Sequence, residues 1–150
     1  MARTRSLAAL LAGLLAAAAG CSGGSLSYTD DVEGTLTLDK VPVADTLVQF
    51  VPDVPDGKKA PESSGITDAK GFFRLTRSDN QKPGAAVGPH RVVIFPGRAA
   101  QDRADTGAPD RAGPPAVPNV YMNAAKTPLR VEVTKDRKTY DLNISRTPGR

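Results

Sequence analysis

The stretch "SGITDAKGFFRL", Ser64–Leu75, decides the reading of this chain. Asp68, Lys70 and Gly71 stand between a short β-branched run and a second run in which Phe73 and Leu75 alternate with Phe72, Arg74 and Thr76. Alternation with a period of two is the pattern of a strand with one face buried. "DAKG" then reads as a reversal between two strands. The Asp68 carboxylate can accept hydrogen bonds from the backbone N–H groups of its own turn, and Gly71 can supply the left-handed residue that a type I turn with a bulge requires. Asp68 and Gly71 are therefore turn-forming residues, and the acid is a folding device before it is a ligand.

Outward from this turn the same period recurs. Leu36 and Leu38 alternate with Thr35 and Thr37, and Val48 and Phe50 follow. Further on come "HRVVIF", then "PLRVEVT" with Leu129, Val131 and Val133 on one face, then "TYDLNI" with Tyr140, Leu142 and Ile144 on one face. Each run is short and bounded by Gly, Pro, Asp or Asn. About seven such strands predict an all-β fold, an antiparallel Greek-key β-sandwich over residues 31–145. No window after the first twenty residues has helical periodicity. Residues 96–119, rich in Pro, Gly, Ala, Arg and Asp, break the rhythm and read as one long loop, and 146–150 form a short tail. In that loop Arg98, Arg103 and Arg111 interleave with Asp102, Asp105 and Asp110, so it has no net sign.

The N-terminal residues read as an address. Arg3 and Arg5 precede Leu7 to Ala19, an unbroken run of Leu, Ala and one Gly, which is the pattern of a signal peptide over 1–20 and is too short to cross a bilayer. Ala18, Ala19 and Gly20 lie directly before Cys21, the only cysteine, and this resembles a bacterial lipobox. The resemblance implies a lipidated Cys21, with residues 21–30 as a flexible tether. It also implies export to the cell envelope, at the outer membrane or cell surface rather than the inner membrane, because Ser22 carries no acidic retention cue. Two or more acyl chains hold stably, at about 0.8 kcal/mol per buried methylene, so the partner implied first is the membrane itself.

Composition narrows the remaining classes. Of a net charge of +4, two charges belong to Arg3 and Arg5, so the domain is only mildly basic, and nucleic acid is not expected as a partner. With one cysteine there is no internal disulfide. His90 is the only histidine and has no Cys or His at zinc-ligand spacing, so no metal or other cofactor is expected. It reads as a surface or edge residue. No G-x-S-x-G elbow supports nucleophilic catalysis, and the carboxylates at Asp30, Asp31 and Glu33, or Asp53 and Asp56, lack a calcium-loop series.

Four blocks together resemble the transthyretin-like, carboxypeptidase regulatory-like β-sandwich domains of small bacterial lipoproteins. They are "VEGTLTLDKVPVADTLVQFVP" (Val32–Pro52), "GITDAKGFFRL" (Gly65–Leu75), "GAAVGPHRVVI" (Gly84–Ile94), and "VPNVYMNAAKTPLRVEV" with "TYDLNI" (Val117–Ile144). The departure is Lys40, where the family usually places Gly after the aspartate of the first hairpin. A positive φ at Lys40, or another turn type, is the expectation there. The resemblance implies a non-catalytic domain that serves as an interaction or structural module, with another envelope protein as partner. Arg91, Tyr121 and the 96–119 loop are the first contact candidates, although Tyr121 could instead pack its ring over the sheet and the loop could be a mere excursion of the chain. The alternative is a carbohydrate-binding module holding a glycan at the cell surface, for which a chain without Trp offers few aromatic platforms.

Overall fold

Period-two runs dictate strands, and strands they become. In the computed structural model of this chain, residues 26–54, 59–97 and 117–147 are described. Residues 1–20, Cys21, most of the tether and the interior of the 96–119 loop lie outside them. The described residues form an all-β architecture of eleven strands and one short 3₁₀ turn at Asn119–Met122. The strands are β1 (Tyr28–Thr29), β2 (Glu33–Leu38), β3 (Val41–Pro42), β4 (Thr46–Pro52), β5 (Ser63–Ile66), β6 (Phe72–Arg74), β7 (Thr76–Arg77), β8 (Ala85–Ala86), β9 (Gly88–Pro96), β10 (Arg130–Val133) and β11 (Leu142–Ile144).

Two main sheets share one core. The larger has the order β10-β9-β4-β5-β7, and the smaller is built on β2, with β11 along one side and β3 and β6 pairing with β2 as well. β1 and β8 make a separate two-stranded ladder. Inward residues alternate as the sequence requires: Leu36 and Leu38 from β2, Val48 and Phe50 from β4, Phe73 from β6, Val133 from β10, and Leu142 and Ile144 from β11 are all buried. Burying a side chain of this size stabilises by about 1.5–3 kcal/mol, so this set supplies the main driving force. Three rings surround Phe50: Phe73 at 6.3 Å, His90 at 5.9 Å and Tyr140 at 6.3 Å between centroids. Of the four Phe and three Tyr in the chain, Phe50, Phe73 and Tyr140 thus meet His90 between the two sheets.

Three features differ from an all-antiparallel sandwich of seven strands. First, β11 runs parallel to β2, with Leu142 opposite Leu36 and Ile144 opposite Leu38. The chain leaves β10 in one sheet and enters β11 in the other, so this connection is a crossing between layers and not a hairpin. Gly34 makes room for it, since a Cβ there would stand 2.0 Å from the Tyr140 carbonyl oxygen. Second, the strand after the "DAKG" turn divides its pairing. Phe72–Arg74 pair with β2, whereas Thr76 and Arg77 return to β5 opposite Ser64 and Ser63. A strand that changes sheets at Leu75 forms a corner, and such corners raise the strand count above seven. Third, both ends of the segment 96–119 belong to the folded framework: Pro96 closes β9, Val117 is buried and Asn119 opens the 3₁₀ turn.

The turns obey local chemistry. Backbone N–H groups of Lys70 and Phe72 donate to Asp68 Oδ1 at 2.8 and 2.9 Å, Gly71 N donates to the Asp68 carbonyl, and Gly71 has φ +75°. In the β2–β3 turn Asp39 and Lys40 have φ of +51° and +69°, the double left-handed pattern of a type I′ turn. Lys40 therefore takes the positive φ and retains the turn type, at a strain of about 1–2 kcal/mol.

Candidate functional site

The polar residues that could form a site are distributed along the open side where β10 and β11 face each other. A groove of about 360 Å³ lies there, lined by Arg130, Glu132, Arg137, Tyr140, Asp141 and Asn143 among others. Its wall is held by Tyr140, which is 2 % exposed. The Tyr140 hydroxyl accepts from Thr134 N and donates to the Arg137 carbonyl, each at 3.0 Å, and so closes the 134–140 connection between sheets. The Arg137 guanidinium sits 4.6 Å from the centroid of the same ring. Asp141 Oδ1 accepts from Thr35 N at 2.9 Å, substituting a side chain for a backbone partner in the parallel ladder. This lining is mixed in charge, with Arg130 and Arg137 beside Glu132 and Asp141.

Arg91 and Tyr121 are engaged inside the fold. Arg91, on β9, grips Asp53 at the end of β4 through two bonds, Nε to Oδ2 at 3.2 Å and a terminal nitrogen to Oδ1 at 2.7 Å. Both side chains are partly exposed, so solvent screens the pair and its contribution to stability is small, but the two bonds fix the direction of the Arg91 fork. The guanidinium hydrogen bond of Arg91 holds the Asp53 carboxyl below the ordinary carboxylate range, against an opposing effect of desolvation and with added help from the charges of Arg91 and Arg130. Tyr121 is 3 % exposed. Its hydroxyl donates to the Ser145 carbonyl and accepts from Ser145 N, both at 3.2 Å, so its ring offers no face to a partner. Asp68 and Gly71 remain within their turn, and Cys21 lies outside the described residues.

His90 corrects the expectation of a surface histidine. It is 1 % exposed, and it packs against Phe50. Its Nδ1–H donates to the Gly88 carbonyl at 2.9 Å, which assigns the tautomer and leaves Nε2 buried with no hydrogen-bond partner among the described residues. Burial pushes its pKa below 6.5, opposed by the Gly88 carbonyl and by the charge of Glu132. In "PHRVVIF" it occupies an inward position of a strand and is buried with Val92 and Ile94 of the same parity, although Val93 of the opposite parity is buried as well.

Among the described residues no three His, Cys, Asp or Glu side chains gather as a metal site, and no helix is long and apolar enough to cross a membrane. Arg130 and Glu132 are the site residues that sequence reading missed, with the charge alternation in "RVEV" as the local hint; Asp53 entered there only as a carboxylate outside a calcium loop, and Tyr140 only as part of a strand's inward face. Comparison with known proteins found no match: no family model, no curated protein and no solved structure resembles this chain closely enough to assign it.

Proposed function

We propose that this chain is a non-catalytic lipoprotein of the bacterial cell envelope, tethered through a lipidated Cys21, whose domain is an interaction or structural module. The domain is of the Greek-key, transthyretin-like and carboxypeptidase regulatory-like type. The observation that carries the reading is the placement of the sole cysteine directly after Ala18-Ala19-Gly20 and an apolar run, ahead of an all-β domain. The geometry of the candidate residues supports it, since Asp53, Arg91 and Tyr121 hold the scaffold together. A rigid sandwich on a lipid leash presents edges and loops to a neighbour, and such surfaces commonly carry binding residues. The partner fitted by this reading is another envelope protein at the outer membrane or cell surface.

The test is fractionation of cells expressing the chain or its Cys21→Ser variant, with metabolic labelling by a palmitate analogue. The expected outcome is a labelled, membrane-bound wild type and an unlabelled variant released to the soluble envelope fraction. A Cys21→Ser chain that stays membrane-bound sinks the anchor, and with it the assignment of location.

A further inference from the structure

We infer that two copies of this chain pair edge to edge through β10, in one antiparallel register centred on Val131. The inference stands on the geometry of β10 and does not depend on whether Cys21 carries lipid.

β10 is the last strand of the five-stranded sheet, and among the described residues no strand pairs with its far side. Backbone parity says which groups that side presents. Val92 N donates to the Leu129 carbonyl at 3.2 Å, and Val131 stands opposite His90. In an antiparallel ladder the bonding positions alternate, so Leu129, Val131 and Val133 bond to β9, while the N–H and C=O of Arg130 and Glu132 point to the open edge. The available window is short. Pro128 has no N–H to offer at one end, and at the other Thr134 N is already taken by the Tyr140 hydroxyl.

A two-fold pairing of this edge with itself must place outward-bonding residues opposite each other, which allows three registers over the window. Arg130 facing Arg130 and Glu132 facing Glu132 oppose like charges. The third register, centred on Val131, sets each Arg130 against the Glu132 of the second copy, twice by symmetry, and continues the apolar face with Leu129 against Val133. Charge and parity thus select the same register. Both side chains are exposed, and among the described residues neither has an ion-pair partner. Arg130 lies opposite Arg91, whose carboxylate is supplied by Asp53, so the sheet holds one cation more than it neutralises at that point. The Arg130 guanidinium meanwhile rests on the carbonyls of Thr127 and Leu129 at 2.7 and 3.1 Å. A carboxylate is the stronger acceptor for it. A contact this short sits at the small end of interface sizes, so the pairing is weak and concentration-dependent.

The experiment is cysteine cross-linking of the full chain. In a non-hydrogen-bonded antiparallel pair the Cα atoms lie about 4.5 Å apart, within disulfide reach, so Val131→Cys should form a covalent dimer on mild oxidation. Wild type, with Cys21 alone, reports the background. Lys135→Cys, displaced by four residues on each strand, should give no more than that background. Introducing Arg130→Glu or Glu132→Arg into the Val131→Cys chain should lower the dimer yield about tenfold or more, and the double exchange should restore it. Unchanged melting of these exposed-site variants shows that the fold is intact. The inference is overturned if Val131→Cys cross-links no better than Lys135→Cys, or if the single charge reversals leave the yield unchanged.

Discussion

Replacing His90 with Leu isolates a single proton. The folded state holds this imidazole at 1 % exposure against Phe50, with its Nδ1–H bonded to the Gly88 carbonyl and its Nε2 without a partner. Protonation would place a charged N–H at Nε2 where nothing accepts it. Burial therefore lowers the folded pKa, while in the unfolded chain it returns to about 6.5. With a folded value below the unfolded one, the unfolded state takes up the proton first as pH falls. Stability is full above about pH 6.5 and is lost as pH drops from there toward the folded pKa. The slope for this one proton is bounded at about 1.4 kcal/mol per pH unit and flattens again once the folded imidazole protonates as well. For a domain of this size each 1 kcal/mol lost lowers Tm by roughly 3–6 °C. Because His90 is the only histidine, and Asp53 is held below its ordinary 3.8, this window belongs to one group. Thermal and urea unfolding from pH 7.5 to 5 should show the slope in wild type and its disappearance in His90→Leu, which also starts lower through loss of the Gly88 bond. A wild type with flat stability across the window, or a variant that keeps the slope, refutes the reasoning.

Three further outcomes follow from the turns and the inter-sheet plug. Gly71→Val places a β-branched residue at φ +75° with its Cβ 2.4 Å from the Leu36 carbonyl oxygen, and should cost about 2–4 kcal/mol in equilibrium unfolding. Lys40→Gly should stabilise by about 0.5–1 kcal/mol, because relief of strain at φ +69° exceeds the entropy glycine adds to the unfolded chain. Unchanged or lowered stability would contradict the type I′ assignment. Tyr140→Phe leaves Thr134 N and the Arg137 carbonyl without their shared partner and should cost about 1–3 kcal/mol, with faster amide exchange at Thr134 as the local signature.

Much of the fold was legible because alternation depends on the chain itself. Every residue of "TLTL" faces the side its parity assigns, and Phe73 and Leu75 enter the core while Phe72 and Arg74 face solvent. Strand direction was not legible, because parallel and antiparallel strands bear the same alternation. The parallel pairing of β11 with β2 arises from a crossing between layers, and its local requirement, a glycine at position 34, reads in sequence like any glycine in a strand. The divided strand at Leu75 escaped for a similar reason. Phe72 to Arg77 is one continuous alternating run, and only the competition between β2 and β5 for its backbone cuts it in two.

The site was less legible because charge on a strand does not say whether a partner is near. Arg91 and Arg130 are the same residue type on neighbouring strands and stand directly opposite each other. What separates them is Asp53, 38 residues before Arg91, which the end of β4 delivers to hydrogen-bond with Arg91, while Arg130 feels it only as a more distant charge. A long-range pairing thus turns the first arginine into a clamp between strands and leaves the second beside an open edge. Sequence reading nominated Arg91 and passed over Arg130, the reverse of what the pairing favours. An arginine becomes a credible contact when its nearest carboxylate is taken and its own backbone faces outward, and in β10 both conditions meet at Arg130, two residues from the carboxylate that a second copy would return to it.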